Sequence, residues 1–283
     1  MLEQEIEEIE QTLLLEAVFL CYGYDFRNYS QATMRRRIRQ FVAKNNLETI
    51  GELLPRVIRE PSFFQALLFE FSVTVTEMFR DPSFYRSLRK EVIPLLRTYP
   101  FIKIWLAGCA TGEEAYSIAI LLQEEGMLEK STIFATDING DSLVKAQKGI
   151  YPLKQVRAYT ENYQETGSSC SFSRYYHADQ KHIIMDRALK KKITFAHHNL
   201  VSDQVFGEMH LIFCRNVMIY FNKKLQERVL NLFDQSLIRG GFLCLGNRES
   251  LRAFRLSEQY TSLDMRNKIY RKHMIHSHNH HSG

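Results

Sequence analysis

One segment of the sequence combines glycines with acidic side chains in a way that suits a cationic ligand. In residues 104–117, an apolar run leads through Gly108 and Gly112 into a helical pattern that begins with Glu113 and Glu114. Glycines let a ligand approach the backbone, and a helix N-terminus offers N–H groups that lack partners. The segment matches neither GxGxxG nor a P-loop, and its two acids would repel a pyrophosphate. A tight turn with capping acids is the alternative interpretation.

Three further segments place polar residues at the ends of apolar, strand-like runs. Asp137 ends one run, at the position where nucleotide-binding α/β folds place an acid on ribose hydroxyl groups. Asn199 and Leu200 follow another run, where an amide and a backbone N–H can meet the edge of a base. Arg215 and Asn216 follow the run 211–213. Such sheets bind ligands at the carboxyl ends of their strands, so these residues are candidates for one site. A buried polar network would give the same pattern around residue 215.

A fifth segment, residues 73–82, carries polar groups among apolar helices. Its candidates are Thr74, Thr76 and Arg80, and Tyr220 follows Asn216 by about one helical turn. Capping of a helix start would explain the threonines equally well, and packing would explain the tyrosine.

The first 98 residues predict a small all-helical unit. The apolar face of the first helix recurs at spacings of three and four, and it comprises Ile6, Ile9, Leu13, Ala17 and Leu20. Ser30 is placed to cap a second helix. The apolar face of that helix comprises Met34, Ile38, Phe41 and Val42. A third helix is expected to end before Pro55, a fourth covers 63–71, and a fifth covers 82–96.

From residue 99 onward, strand-like and helical patterns alternate. The strands are expected at 102–106, 132–136, 193–196, 211–213 and 242–245, with helices at 113–125, 141–148 and 223–237. This alternation predicts a parallel sheet with helices on both faces. Residues 260–273 predict an antiparallel hairpin, which a mixed sheet tolerates. The stretch 151–192 is too long for a plain connection, so we expect runs 172–176, 182–185 and 193–195 to form a small antiparallel appendage.

Composition and charge exclude several classes of protein. The chain has 283 residues, 45% hydrophobic and 24% charged, which is globular rather than disordered or fibrous composition. No apolar run reaches the roughly 18 residues of a membrane helix, and the acidic start lacks the charge of a secretory signal. The five cysteines are scattered, and His197 and His198 point to opposite faces of a strand. We therefore predict free thiols in the cytoplasm and no metal.

Six blocks, in order, make this sequence resemble the CheR-type chemotaxis-receptor glutamate methyltransferases. The blocks are TEMFRD, AGCATGEEAYSIA, ATDI, HNL, CRNVMIYF and GGFLCLGNRESL, and the match runs from about residue 15 to 273. The resemblance implies an α/β, class I S-adenosylmethionine (SAM) methyltransferase fold, Rossmann-like with a mostly parallel sheet and an antiparallel last strand. We expect an N-terminal helical domain at 1–98 and a methyltransferase domain at 99–273 that holds the β-subdomain 151–192. A flexible His-rich tail is expected at 274–283.

The resemblance also implies how the cofactor is held. The turn at Gly108 belongs to the cofactor site, and Glu114 and Asp137 resemble the acids around the SAM ammonium and ribose. Asn199 and Leu200 resemble the adenine-binding turn. The pair Arg215 and Asn216 resembles the strand-end pair beside the cofactor. SAM, with S-adenosylhomocysteine (SAH) as its product, is thus the implied cofactor, without metal.

Three further residues resemble contacts that the family makes with the cofactor or the acceptor, and a fourth residue, also assigned to cofactor binding, departs from the family's pattern. Thr76 and Arg80 resemble contacts lent by the helical domain, and Tyr220 resembles the tyrosine near the methyl. Thr74 stands where the family often has Asn, and a hydroxyl cannot replace an amide fully. A glutamate side chain has a pKa near ~4.3, so its carboxylate is already nucleophilic at neutral pH and needs no base. Arg80 and the Tyr220 hydroxyl are expected to orient it.

The partner implied is the cytoplasmic signalling domain of a methyl-accepting receptor. Its methylated helices are rich in glutamate, so we expect them to dock on the basic helix that carries Arg35, Arg36, Arg37 and Arg39. The hairpin turn 178–181 has no glycine, which predicts an enzyme without a pentapeptide tether. We expect a cytoplasmic monomer that binds no nucleic acid and does not insert into membranes.

Two other classes stay open at this point. The basic helix could serve a methyltransferase of RNA, and the fold also hosts methyltransferases of small molecules. Methylation of amino groups usually needs an Asn/Asp-Pro-Pro-aromatic block, where this chain has Cys-Arg-Asn-Val at 214–217. The third class is a non-catalytic module that binds SAM or SAH, against which the presence of Arg80 and Tyr220 argues only weakly.

Overall fold

The computed structural model describes residues 2–71 and 76–274. The chain divides into two compact units. The helical unit comprises residues 1–74 and 220–229, and the sheet unit comprises residues 75–219 and 230–283. Residues 75–98, which we expected in the helical domain, therefore group with the sheet. The reason is packing, because Leu88, Val92 and Leu96 lie in the same hydrophobic core as the first strand of the sheet.

The helical unit contains α1 (Glu3–Tyr22), α2 (Gln31–Lys44), α3 (Leu53–Arg59) and α4 (Pro61–Phe71). Within it, α1 packs against α3, and α4 packs against both α2 and α3. Ser30 lies directly before α2, but its side chain forms no capping hydrogen bond. The buried face of the helix is the predicted one, comprising Met34, Ile38, Phe41 and Val42. The expected helix end before Pro55 was wrong: Pro55 lies in the first turn of α3. The backbone N–H that proline lacks has no intrahelical partner in a first turn.

Helix α1 forms as predicted, but it buries a different face. Its buried residues are Gln11, Leu14, Leu15 and Val18. Of the predicted face, Ile6, Ile9, Leu13 and Leu20 are exposed, from 42% for Ile6 to 73% for Leu20. The run Leu13-Leu14-Leu15 satisfies a helical period on either face, so the pattern alone could not decide between them.

The sheet unit contains the remaining elements. The helices are α5 (Pro82–Ser87), α6 (Ile93–Leu96), α7 (Glu113–Glu124), α8 (Gly140–Lys148), α9 (Val156–Glu165), α10 (Arg187–Lys190) and α11 (Lys223–Ser236), of which α11 begins within the helical unit. The strands are β1 (Ile102–Ala107), β2 (Ser131–Asp137), β3 (Ile150–Pro152), β4 (Tyr176–Ala178), β5 (His182–Met185), β6 (Ile193–His197), β7 (Met209–Cys214), β8 (Leu237–Leu245), β9 (Tyr260–Asp264) and β10 (Ile269–Lys272).

The main sheet has seven strands in the order β6-β2-β1-β7-β8-β10-β9. The first five strands in that order pair in parallel, and β10 runs antiparallel to both of its neighbours. This confirms the predicted mixed sheet and its closing hairpin. Because these strands are parallel, the carboxyl ends of β6, β2, β1 and β7 lie at one edge of the sheet. The polar residues predicted to form the site follow the strands at that edge.

The small second sheet has the order β3-β5-β4. Residues 172–175 form a 3-10 turn and not the expected strand. Residues 193–197 form the edge strand β6 of the main sheet, as the alternation of strands and helices predicted, and take no part in the small sheet. The residues of β3 were not expected as a strand, because a run of three residues carries almost no periodic signal. Strand β8 begins at Leu237, five residues before the expected strand 242–245, and therefore includes Gly240 and Gly241.

No helix in the described part of the chain is long and apolar enough to cross a membrane. All five cysteines are free thiols, at positions 21, 109, 170, 214 and 244.

The observed face of α1 gives a matched pair of substitutions. Leu14→Ala removes a fully buried side chain and should lower the free energy of unfolding by about 2–5 kcal/mol, because it leaves a cavity. Leu13→Ala removes a neighbour that is 52% exposed and should change it by no more than about 0.5 kcal/mol. Urea unfolding followed by circular dichroism measures both. Equal losses would contradict the observed orientation of the helix.

Candidate active site

Backbone hydrogen bonds join the end of β2 to the turn after β1 on one side and to the residue after β6 on the other. The N–H groups of Gly108 and Cys109 both donate to the carbonyl of Thr136, at 2.8 and 2.9 Å. The N–H of His198 donates to the carbonyl of Asp137 at 3.2 Å. Three of the sequence-predicted segments therefore meet at the carboxyl edge of the sheet, as their positions at strand ends predicted.

Gly108 and Gly112 are needed for backbone conformation and for packing. Their φ angles are +80° and +93°, a region that glycine adopts without steric cost. A Cβ on Gly108 would lie 2.4 Å from Val217, and a Cβ on Gly112 would lie 2.8 Å from the Cβ of Ala146. Substitution at either position would therefore displace the turn that lies between β1 and α7.

Asp137 holds this turn with its carboxylate. One oxygen accepts from the N–H of Ala110 at 2.8 Å, and the other accepts from the N–H of Asn139 at 2.9 Å. Burial raises the pKa of Asp137, and these backbone donors oppose that shift. Each carboxylate oxygen can accept a second hydrogen bond, so Asp137 retains acceptor capacity for a ligand's hydroxyl groups.

The two acids after Gly112 have different environments. Glu113 is buried, accepts from the Thr111 hydroxyl at 2.7 Å, and has a pKa raised by burial to about 7. Glu114 instead accepts from the guanidinium of Arg215 at 2.6 Å. Only Glu114, of the two, therefore belongs to the polar group at the sheet edge.

Arg215 is a buried cation that is contacted by two other segments of the chain, residues 80–84 and the start of α7. It pairs with Glu114 at 2.6 Å and with Asp81 at 2.8 Å, and its Cζ lies 4.0 Å from the centre of the Phe84 ring. Burial alone would lower its pKa, but the neighbouring carboxylates outweigh burial and raise it. A second N–H of the guanidinium points at the carbonyl of Arg80, at 3.5 Å. Arg80 itself forms no ion pair with any described residue.

Asn199 stabilises the turn after β6 with hydrogen bonds of its own. Its side-chain oxygen accepts from the N–H of Val201 at 3.0 Å, and its own N–H donates to Asp203 at 2.8 Å. Asn199 and Leu200 are both buried. The amide oxygen is thus already engaged, and the side-chain NH2 group is the part of Asn199 with donor capacity for a base.

Two residues of this region, Asp81 and Glu249, were not predicted as site residues from the sequence. The only signal for Asp81 was its place beside Arg80 in TEMFRD. Glu249 is buried and accepts from the backbone N–H groups of Asn216, Val217, Met218 and Gly246. No spacing rule links residue 249 to residue 216, because the contact depends on the pairing of β7 with β8.

Backbone strain is concentrated at the same edge. Positive φ angles occur at the non-glycine residues Phe79, Asp81, Ala110 and Asn216. Such conformations cost of order 1–3 kcal/mol each and persist where the surrounding contacts enforce them. Here the enforcing contacts include those of Asp137 with Ala110 and of Glu249 with Asn216.

The remaining predicted residues are placed as follows. Thr74 lies outside the described residues, and Thr76 is partly exposed. Tyr220 belongs to the helical unit, where the Cζ of Arg37 lies 5.7 Å from the centre of its ring. Its proposed position beside the methyl group stays a prediction. No cluster of three or more His, Cys, Asp or Glu side chains suited to a metal occurs among residues 2–71 and 76–274.

The polar groups at the sheet edge fit a cationic nucleoside. Two buried atoms, Nε of Arg215 and Nδ1 of His198, have no hydrogen-bond partner among the described residues. Asp137 offers acceptors for hydroxyl groups, and the turn carrying Asn199 offers an amide. SAM combines ribose hydroxyls, an adenine base, an ammonium and a carboxylate with a sulfonium. Together with the sheet order, these groups fit a class I SAM-dependent methyltransferase.

Comparison with known families agrees with this class. Residues 74–269 match the family described as "CheR methyltransferase, SAM binding domain", and residues 10–72 match "CheR methyltransferase, all-alpha domain". The chain belongs to the CheR methyltransferase family, and SAM is its cofactor.

Relatives match the chain over most of its length. It is 49% identical over 265 residues to "Putative methyltransferase Cher3" of Pseudomonas putida, covering 94% of this chain and 97% of that one. It is 31% identical to a "Chemotaxis protein methyltransferase" of Vibrio parahaemolyticus, covering 78% of this chain and 82% of that one. A protein of the same name from Listeria monocytogenes is 28% identical, with 81% and 85% covered.

Asp137→Asn tests the cofactor contact. The variant replaces one charged acceptor oxygen by a donor, and each lost hydrogen bond to a charged group is worth roughly 1.5–3 kcal/mol. We expect the Kd for SAH, measured by calorimetry, to rise at least about tenfold. Asp141→Asn, an exposed acid in the first turn of α8, is the matched control and should leave the Kd unchanged. Unchanged affinity in Asp137→Asn would remove this residue from the site.

Glu113 should make stability depend on pH. Its pKa rises from 4.5 to about 7 on folding, so between these values the folded protein holds a proton that the unfolded chain releases. The contribution of this group to stability is therefore complete below pH 4.5 and is lost as the pH rises toward 7. As the pH rises through this range, the free energy of unfolding should fall by about 3 kcal/mol less in Glu113→Gln than in the wild type, because the glutamine has no proton to release. Urea unfolding at several pH values measures this, and parallel profiles would contradict it.

Proposed function

We propose that this protein transfers the methyl group of SAM to glutamate side chains in the cytoplasmic signalling domain of a chemoreceptor or a related signalling protein. The products are glutamate methyl esters and SAH. The observation that carries the proposal is the match of nearly the whole chain to both CheR domains, together with its similarity to relatives named chemotaxis protein methyltransferase. The site of action that follows from this acceptor is the cytoplasm.

The chemistry needs positioning rather than a base. When bound, SAM supplies a methyl group activated by the positive sulfonium. An acceptor carboxylate is ionised at neutral pH, so the protein only has to hold it in the orientation that reacts. Such orientation can lower the activation free energy by about 7–11 kcal/mol. Arg80 suits this role because its guanidinium forms no ion pair with the described residues, and the Tyr220 hydroxyl is the second group we assign to it. Too tight a grip by Arg80 would stabilise the ground state and slow the reaction.

The described residues supply the contacts for the cofactor. Asp137 accepts from the ribose hydroxyls while it holds Ala110, and the turn carrying Asn199 and Leu200 binds the adenine. Glu114 offers its remaining acceptor capacity to the ammonium while Arg215 satisfies its charge. The unpartnered Nε of Arg215 gives that residue a donor for the cofactor's carboxylate. Thr76, Gly108 and Asn216 complete the proposed site, together with Thr74, which lies outside the described residues.

Helix α2 is the proposed docking surface for the acidic acceptor. Its four arginines differ in exposure and in whether they form ion pairs. Arg35 pairs with Glu8 at 2.9 Å, and Arg39 pairs with Glu7 at 2.5 Å, so the acidic α1 already neutralises part of this surface. Arg37 is partly buried and donates to the carbonyl of Glu70. Arg36 is exposed and forms no ion pair in the described part of the chain. Arg36 is therefore the arginine we expect to attract the acceptor most directly.

We further propose that docking does not use a pentapeptide tether. The turn between β4 and β5 is closed tightly by Asp179, which accepts from the N–H groups of Lys181 and His182, both at 2.7 Å. The backbone of Asp179 also bonds to His182 at 2.9 Å. Such an Asp-centred turn needs no glycine and leaves no elaborated loop to receive a peptide.

Labelled SAM tests the proposed acceptor directly. The full-length protein would be incubated with methyl-labelled SAM and with either a receptor signalling domain or total RNA. Label in the signalling domain alone supports the proposal. Label in RNA would favour the nucleic-acid methyltransferase, and SAH binding without transfer to any acceptor in a whole-cell extract would favour a binding module.

Tyr220→Phe separates orientation of the acceptor from packing. The ring stays and only the hydroxyl is lost, so kcat should fall at least about tenfold while the Kd for SAH is unchanged. Tyr22→Phe is the matched control, because its hydroxyl only donates to the carbonyl of Val57 in the same unit. Methyl transfer under single-turnover conditions measures both variants. Wild-type turnover in Tyr220→Phe means that the ring serves packing alone.

Arg36→Glu tests docking on α2. Reversing an exposed charge should raise KM for the acceptor several-fold at low salt, about 0.02 M, and much less at about 0.5 M, where screening is strong. Arg59→Glu carries the same charge change on another exposed site of the helical unit and should leave KM near that of the wild type. Initial rates at varied acceptor concentration give both values. Equal effects of the two reversals would indicate nonspecific attraction only.

A further inference from the structure

We propose that Glu249 is a positioning residue for cofactor binding, acting through the loop that follows β7. Its carboxylate is buried, with 6% of the residue exposed, and it faces backbone donors rather than a cation. One oxygen accepts from Val217 and Met218 at 2.9 and 2.8 Å. The other accepts from Asn216 and Gly246 at 3.1 and 2.6 Å. Four backbone N–H groups from two separate loops thus converge on one side chain.

The loop needs these acceptors because it leaves the sheet abruptly. Asn216 has a φ of +62°, so the chain turns away from the direction of β7. The N–H groups of residues 216–218 then have no neighbouring strand to receive them, and an unpaired buried N–H costs free energy comparable to a lost hydrogen bond. Glu249 supplies the missing acceptors. A carboxylate is the one side chain that can accept all four bonds at once.

The same loop touches the cofactor site at two places. Val217 packs against the turn at Gly108, where even a Cβ on the glycine would lie 2.4 Å from the valine. Arg215 precedes the loop and carries the ion pairs to Glu114 and Asp81. A change in the conformation of residues 216–218 is therefore transmitted both to the glycine turn and to the buried guanidinium.

Gly246 shows how closely the arrangement is fitted. A Cβ at this position would lie 2.7 Å from the amide nitrogen of Asn216 and 2.7 Å from the carboxylate of Glu249. The backbone of residue 246 approaches the loop as closely as a residue without a side chain allows. The GNRESL block, residues 246–251, thus contains both Glu249, which binds the loop, and Gly246, whose lack of a side chain lets the loop pack closely.

Glu249→Gln is the decisive variant. It keeps the shape of the side chain but turns one acceptor oxygen into a donor that faces two backbone N–H groups. We expect the Kd for SAH by calorimetry to rise at least about fivefold, since loss of acceptors at a buried site is costly. KM for SAM should rise in parallel, with a smaller change in kcat, because the effect is on the cofactor's binding site. The calorimetric readout needs no methyl acceptor, so it stands whether or not the proposed acceptor is right.

A matched control separates positioning from simple destabilisation. Glu52 accepts from the backbone N–H groups of Thr49 and Glu48 at 2.8 and 2.9 Å in the helical unit. Glu52→Gln should lower the melting temperature without changing the Kd for SAH. A Glu249→Gln protein that melts earlier but binds SAH within about twofold of the wild type would overturn the proposal.

Glu249→Asp keeps the inference testable if the glutamine variant does not fold. The charge is retained, but the side chain is one methylene shorter and cannot reach both loops equally well. We expect the Kd for SAH to rise at least about threefold in a protein that folds. Wild-type affinity in this variant would also overturn the proposal.

Discussion

The buried guanidinium of Arg215 is the interaction on which the rest of the site depends. A cation removed from water is tolerated only when opposite charges and hydrogen bonds replace its hydration. Here Glu114 at the start of α7 and Asp81 before α5 supply the charges, and the Phe84 ring lies beside the guanidinium. Loops that are far apart in sequence are thereby fixed at one edge of the sheet. Removing one partner would leave an uncompensated charge, so these three residues must be considered together.

A second feature of the site is that carboxylates hold backbone rather than cations. Asp137 receives N–H groups from Ala110 and Asn139, and Glu249 receives four from two loops. Burial raises the pKa of both acids, and the backbone donors oppose that shift. At Ala110 and Asn216 the backbone has a positive φ angle, and in each case a buried acid accepts the N–H of that residue. The candidate site is therefore built largely from backbone that side chains hold in place.

The fold could be predicted from the sequence where the hydrophobic periodicity was clear, and site residues could be predicted where polar residues follow the ends of strands. The parallel strands, the closing hairpin and the buried face of α2 were confirmed, and Asp137 could be placed because it ends a strand. The buried face of α1 was wrong because three consecutive leucines fit two faces, and β3 was too short to show a period. Asp81 and Glu249 could not be found, because their partners are set by strand order and not by spacing. Of the two interpretations of Arg215, the buried polar network is observed, and the contact with a ligand stays a prediction.

The central claim is that the transferred methyl ends on a carboxylate oxygen, and the bond it forms tests this most directly. Full-length protein, labelled SAM and a receptor signalling domain would be incubated together, and the labelled acceptor then treated with mild base. Methyl esters hydrolyse and release the label as volatile methanol, whereas methyl groups on nitrogen stay attached. The account predicts base-labile label, with mass spectrometry placing one added methylene on glutamate residues. Base-stable label, or label on any other side chain, would contradict it.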